Sequence, residues 1–319
     1  MIEAAKRNAW RHNENSESVE SYQFSDNNKL SGVSFSTESR NIYPPPEWTR
    51  LWILIGRCHI QLFRDWTVTY LKLAAHIICS ILIGLLFGDC GSNAAKVISN
   101  IGLCLICIAY LWYTTMMPGI LRFPLEIAII KRETFNNWYK LRTYYLATAI
   151  TATPVHIIFA TVFSTITYLM TSQPLELVRY IKFTSVNIMI TFAADGFGVL
   201  LGSTSIFLAA GLTCLLVIFS GFLILFEHMN SYLRVFSYFS AHRYGFESLV
   251  MSVYENGRAD MICPPQALYC HLKKASHVLK ILGMENSNYS FNVAILWLQI
   301  GIFKSLAYLA LKRTLRNGS

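Results

Sequence analysis

From Val97 to Leu121 the chain carries not one charged side chain. Such a run is long enough to cross the roughly 30 Å hydrocarbon core of a bilayer as a single helix. No other feature limits the fold as tightly, because a backbone in hydrocarbon must satisfy its own hydrogen bonds. Runs of the same kind recur, and they place six spans at about 66–88, 97–121, 143–170, 183–202, 203–226 and 292–311. The first has Lys72 near enough to its entry end to snorkel, the third contains Pro154, and the last contains Lys304. The expected fold class is therefore all-α, a polytopic membrane protein of six transmembrane helices.

Composition agrees with this reading. Hydrophobic residues make up 54% of the chain and charged residues 14%, against about 25% charged in an ordinary soluble domain. That leaves too little polar surface to cover a core in water, which excludes a soluble enzyme and a disordered regulator. The formal net charge of +9 raises the question of nucleic acid. Residues 1–65 hold eight basic and eight acidic side chains, so the whole excess lies in the apolar part. A nucleic-acid footprint would be a basic stripe on a soluble fold. Basic residues interleaved with spans are instead the bias that orients membrane helices, and no nucleic-acid partner is expected.

The flanking segments follow from the same logic. Residues 1–46 are rich in Ser, Asn and Glu, end in Pro44, Pro45 and Pro46, and read as a disordered linker. They hold no apolar core of a secretory signal, so insertion would fall to the first internal span. In Glu47–Trp66 apolar residues alternate with Arg50, Arg57 and Arg64 at helical spacing. This suits an amphipathic helix in the membrane interface, and the plainer reading is an ordinary surface helix. Between spans two and three, Arg122, Lys131, Arg132, Lys140 and Arg142 outnumber Glu126 and Glu133 by three. The tail adds Lys312, Arg313 and Arg316. Both termini are thereby expected in the cytoplasm, although Lys273, Lys274 and Lys280 fall on the other side, in a long loop. Residues 227–289 form that outer loop, and its half-polar, aromatic first part is of the kind that re-enters or lies at the interface.

Absences narrow the chemistry. There is no GxxxxGK[ST] phosphate loop, no HExxH, no GxSxG and no intramembrane carboxylate pair at helical spacing. No catalytic site is legible, and no cofactor or metal site is expected on this chain. The segment FPLEIAIIKRETFNNWYKLRTYYLA (Phe123–Ala147) is the most distinctive. Physically it is a cytoplasmic helix at the membrane that offers a charged face, to a partner or only to solvent.

That segment, followed by TSQP (Thr171–Pro174), FSGF (Phe219–Phe222) and RYGFE (Arg243–Glu247), resembles the membrane domain of subfamily G of the ABC transporters. Arg64-Asp65 and SILIGLLFG (Ser80–Gly88) fit as well. These are the White-type half-transporters, and the likeness is strongest to the animal sterol- and lipid-exporting branch. It covers about residues 47–316 of an exporter domain taken as 47–319.

The resemblance implies roles residue by residue. Residues 126–139 correspond to the coupling helix that rests on a nucleotide-binding domain, with Glu126, Lys131, Arg132, Glu133 and Tyr139 as its contact residues. Phe222 and Leu223 correspond to a hydrophobic valve between an inner and an outer cavity. Trp112, Tyr113 and Thr114 would wall the substrate cavity between two protomers. The implied function is the translocating half of an ATP-driven exporter of lipids, sterols or other apolar small molecules, alternating access as a homo- or heterodimer among membrane lipids. ATP and Mg would be held by the nucleotide-binding domain. This sequence departs from the family in carrying no such domain, so the expected alternatives are a fragment or an ATPase on another chain. A second reading is a truncated, non-transporting partner that regulates full-length half-transporters by dimerisation.

Further residues carry open alternatives. Asp195 sits in an otherwise apolar span and is either a relay or gating group or a capped carboxyl near a helix break. Gly84 and Gly88, and Gly198 and Gly202, form GxxxG pairs suited to close helix packing. His156 follows Pro154 and would satisfy backbone freed by the proline. Cys263 and Cys270 share the outer loop with His271 and His277. An oxidising exterior favours a disulfide between the two cysteines over zinc, whose usual spacings are absent.

Overall fold

The computed structural model describes residues 45–64, 66–202, 206–222, 230–255, 257–263, 272–285 and 287–317. Nearly all of the proposed 1–46 linker lies outside them. Ten α-helices are described: α1 (Glu47–Arg64), α2 (Trp66–Phe87), α3 (Val97–Phe135), α4 (Leu141–Met170), α5 (Leu177–Leu201), α6 (Ile206–Ile218), α7 (Ser231–Ser237), α8 (Ala241–Tyr254), α9 (Ala275–Ile281) and α10 (Tyr289–Asn317). No strand occurs among the described residues, only an isolated bridge between Asn93 and Ile262. The protein is an all-α, polytopic membrane protein.

Five described helices are long and apolar enough to cross a membrane: Trp66–Phe87, Ala94–Phe135, Leu141–Met170, Leu177–Leu201 and Tyr289–Arg316. The expected fifth span, 203–226, is the exception. Its described helix, α6, has 13 residues, about 20 Å at 1.5 Å per residue, and 203–205 and 223–229 lie outside the described residues. The span that the sequence ends near Leu121 instead continues unbroken through Pro118 and Pro124 to Phe135, 39 residues in all. It is about 58 Å long, far more than a bilayer core requires. Prolines are tolerated inside such helices because neighbouring groups re-satisfy the freed backbone.

One end of the bundle, here the upper, carries the α2–α3 and α4–α5 turns. The lower end carries α1 and the α3–α4 turn. At the upper end a buried polar network ties the turns together: Asn100 donates to Tyr254 Oη at 2.8 Å, and Gln173 donates to Asn100 Oδ1 at 2.6 Å. Gln173 thus explains the TSQP stretch, since its amide spans α3 and the α4–α5 turn. Arg258 bonds the Gly91 carbonyl and stacks 4.8 Å over the Tyr254 ring.

α5 is the hub, packing on α3, α4, α6, α8 and α10. Its inward residues include Phe183, Val186, Ile190, Ala193 and Ala194, all fully or nearly fully buried. α2 instead exposes Leu71, Ile78, Leu82, Leu85 and Leu86, as a lipid-facing helix does. Small residues set the closest approaches. A Cβ on Gly198 would stand 2.6 Å from the Met116 carbonyl oxygen, and one on Gly202 would stand 2.5 Å from Phe123 Cβ.

α8 does not lie at the surface as an ordinary loop helix would. It runs antiparallel to α3, with Tyr254 at Asn100 and His242 against Trp112, ring centroids 4.5 Å apart. Twelve residues separate the contacts on both helices, so α8 begins about 18 Å below its upper contact and returns upward. Nearly every residue of α8 is buried.

Gly198→Val is expected to force α3 and α5 apart and to cost about 1–3 kcal/mol of overpacking strain. It should lower Tm in lipid nanodiscs, whereas Gly211→Ala, at a glycine with open space around it, should leave Tm unchanged. Equal Tm for Gly198→Val and wild type would contradict this packing.

Candidate functional site

The lower end of α3 is built around two carboxylates on one helix face, Glu126 and Glu133, two turns apart. Glu133 lies in the last turns of the helix, where the macrodipole disfavours an acid. It is nevertheless buried, and three hydrogen-bond distances account for that. Arg57 Nη1 of α1 stands 2.8 Å from Glu133 Oε1 and 2.9 Å from Oε2. Tyr139 Oη donates to Oε2 at 2.5 Å. Glu126 repeats the scheme: Arg122 Nε is 2.9 Å from Oε1, and Tyr144 Oη of α4 donates to Oε2 at 3.0 Å. The two tyrosines stack, ring centroids 5.7 Å apart.

The chain makes this possible by a tight turn after Phe135, where Asn137 takes the left-handed φ of 53° that Asn tolerates better than most residues. Leu51 and Leu54 of α1 pack with Tyr139 and Ala147, so the amphipathic helix is strapped onto the α3–α4 turn. Glu47 completes the strap, accepting from Thr143 at 2.8 Å with Lys140 at 3.4 Å. The Thr143 bond and the cations hold its carboxyl below the ordinary value. Burial pushes the Tyr139 phenol up, and the charge of Glu133 pushes it further. Burial alone would lower Arg57, but the Glu133 carboxylate outweighs it and raises the guanidinium. Both residues stay in the forms that bind Glu133 throughout the neutral range.

Lys131 and Arg132 point outward, as do Phe135 and Trp138, which are 87% and 60% exposed. The five residues grouped by sequence thus divide. Glu126, Glu133 and Tyr139 face inward and hold the unit together, while Lys131 and Arg132 form an outer surface with two aromatics.

A narrow cleft of about 50 Å³ leads inward from this cluster, lined by Arg122, Glu126 and Tyr144 at one end and Asp195 and Lys304 at the other. Asp195 of α5 forms an ion pair with Lys304 of α10. His156 Nε2 of α4 stands 3.5 Å from its other oxygen. Asp195 is therefore a paired carboxylate that joins three helices, and His156 faces it across the Pro154 region. Sequence reasoning noted Lys304 without its partner. The available signal was depth, since Lys304 lies midway along α10 and Asp195 lies three-quarters of the way down α5 from the upper end.

Trp112 is fully buried within the protomer, against His242, Phe197 at 5.3 Å and Phe303 at 6.5 Å. It is a core residue in this conformation, and its neighbours carry the surface: Tyr113 is partly exposed with its hydroxyl 3.6 Å from Cys214 Sγ. Thr114 returns its hydroxyl to the Tyr110 carbonyl at 2.8 Å. Phe222 is half-buried, with its ring 6.0 Å from that of Phe246. Leu223 lies outside the described residues. Cys263 is disulfide-bonded, and Cys270 lies outside the described residues. Among the described residues no group of three or more His, Cys, Asp or Glu could hold a metal.

Residues 49–254 match the family described as ABC-2 type transporter. Among curated relatives, the ABC transporter ATP-binding protein/permease wht-1 of Caenorhabditis elegans is 25% identical over 306 residues, 89% of this chain and 46% of its own length. ABC transporter G family member 21 of Arabidopsis thaliana is 24% identical, covering 85% of this chain and 40% of its own. Protein white of Drosophila melanogaster is 22% identical, covering 83% and 39%. The chain thus spans less than half the length of these relatives.

A double-mutant cycle between Arg57→Met and Glu133→Gln, read by thermal unfolding in nanodiscs, is expected to return a coupling of about 1 kcal/mol. Arg57 is half exposed, so solvent screens the pair much as it does a surface ion pair. A coupling of zero would remove the tie between α1 and α3.

Proposed function

The chain belongs to the ABC-2 type transporter family, and from that premise we propose that it is the translocating half of an ATP-driven exporter of lipids, sterols or other apolar small molecules. It works by alternating access in a dimer, homo- or heteromeric. One observation carries the reading. Glu133 fastens Arg57 of α1 and Tyr139 of the α3–α4 turn to the end of a 39-residue helix. A push on this unit is carried as a rigid-body movement along α3 into the membrane.

The lower end is then cytoplasmic, as its basic excess and that of the C-terminal tail suggest. Both termini lie on that side. Lys131, Arg132, Phe135 and Trp138 form the surface for a nucleotide-binding domain, which supplies the free energy of ATP hydrolysis with Mg. The name ATP-binding protein/permease of one relative supports this arrangement. Glu126, Glu133 and Tyr139 act one layer inward, keeping α1, α3 and α4 in one body. Phe222 and Leu223 serve as the valve, and Tyr113 and Thr114 as cavity wall on the same helix that receives the push. Trp112 stiffens that helix from within. Asp195, Lys304 and His156 link α5 and α10 to α4, so the movement reaches the hub helix as well.

The test uses the transporter assembled with its nucleotide-binding domain. Replacing Phe135 and Trp138 by Ala and Lys131 and Arg132 by Glu should cut ATP-dependent transport by about 5- to 150-fold, the range of a 1–3 kcal/mol coupling. ATP binding and membrane insertion should persist. Undiminished transport would overturn the assignment of this surface.

A further inference from the structure

Between the lower part of α8 and the start of α10 the structure opens a second cleft, of about 530 Å³. This volume lies within the range of small-molecule sites, roughly 300–1,000 Å³. Its walls include Tyr238, Arg243, Glu247, Ser287, Phe291 and Asn292. Arg243 lies one helical residue from His242, about 16 Å below the upper contact of α8, at a depth where a cation needs a partner. It has several: Glu247 Oε1 at 3.2 Å, Ser237 Oγ at 2.6 Å and the face of Tyr238, whose centroid is 4.3 Å away. Glu247 in turn accepts from Asn292 Nδ2 at 2.9 Å. Its side chain is 7% exposed and that of Arg243 is 13% exposed.

The chemistry of an occupant follows from these contacts. Positive and negative charge cancel inside the cleft, so it offers no net attraction to an anion or a cation. What remains in the lining are neutral hydrogen-bonding groups, Asn292, Ser287 and the phenols of Tyr238 and Tyr244, together with the apolar Phe291 and Ile295. The flanks are apolar and open: Phe291 is 63% exposed, and Val235, Phe236 and Phe239 beside Tyr238 are exposed too. In a membrane protein such a flank meets hydrocarbon, and a ligand enters from the side. We propose that the α8–α10 cleft is a lateral binding site for a neutral lipid with a small hydroxyl head, of the sterol or diacylglycerol kind. The head bonds along Asn292 and Ser287, and the apolar body lies against Phe291 and Tyr238. The site rests only on the chain being membrane-embedded, so it stands or falls independently of export.

The experiment uses the full chain in nanodiscs with a photoreactive diazirine analogue of cholesterol, and peptides are mapped after illumination. Labelling is expected to concentrate on α8 and the first turns of α10. Dioleoylglycerol is expected to compete, and phosphatidylglycerol is not. Ser287→Trp, which fills the rim, should reduce labelling there by about tenfold or more, as steric exclusion of a buried group does. Phe291→Ser, at an exposed position that the fold does not need, should weaken labelling as well and keeps the test open if the tryptophan variant misfolds. Labelling spread evenly over α2 and α10, labelling unchanged in both variants, or equal competition by phosphatidylglycerol would each overturn the proposal.

Discussion

A charge buried among apolar helices has to find its opposite, because an unpaired ion in hydrocarbon costs several kcal/mol. Much of this structure follows from where those opposites stand. Asp195 and Lys304 fasten α5 to α10, with His156 bringing in α4. Glu133 and Arg57 fasten α3 to α1, and Glu126 with Tyr144 fastens α3 to α4. Glu247, already holding Arg243, reaches α10 through Asn292. Without these pairs the lower and middle parts of the bundle would share mostly apolar faces, which in lipid give little preference for one register over another.

Close backbone contact supplies the second determinant. Gly198 and Gly202 let α5 approach α3 at Met116 and Phe123, and Gly84 lets α2 approach Met170 of α4. The hub helix is therefore placed by glycine and by Asp195 together, which stand at i, i+3 and i+7 along one side of α5. α3 is fixed along its length, by Asn100 above, by Gly198 midway and by Glu133 below.

The helical class and most crossings were legible in the sequence because hydrophobic length is a local property. The basic excess beside Lys131 and Arg132 was legible for the same reason. The pairs were not. Arg57 and Glu133 are 76 residues apart, and Asp195 and Lys304 are 109 apart, so no periodicity links them. The extension of α3 to Phe135 was hidden by Arg122, which ends the uncharged run, and by Pro124, since proline ends helices in water more often than in membranes. That the first part of the outer loop re-enters or lies at the interface was legible from its half-polar, aromatic character, but its partners were not, since only the fold sets Tyr254 against Asn100 and His242 against Trp112. The family resemblance alone put Trp112 on a cavity wall; its burial within the protomer depends on His242 of α8 and Phe303 of α10, which no local pattern reveals.

The most direct test of this pairing is a charge exchange at the hub. Asp195→Lys and Lys304→Asp are each expected to lower the Tm of the nanodisc-embedded protein by bringing like charges together on α5 and α10. The two together should recover most of the loss, because the opposite charges meet again in exchanged places. A double variant no more stable than the worse single one would contradict the claim that paired charge sets the register of these helices.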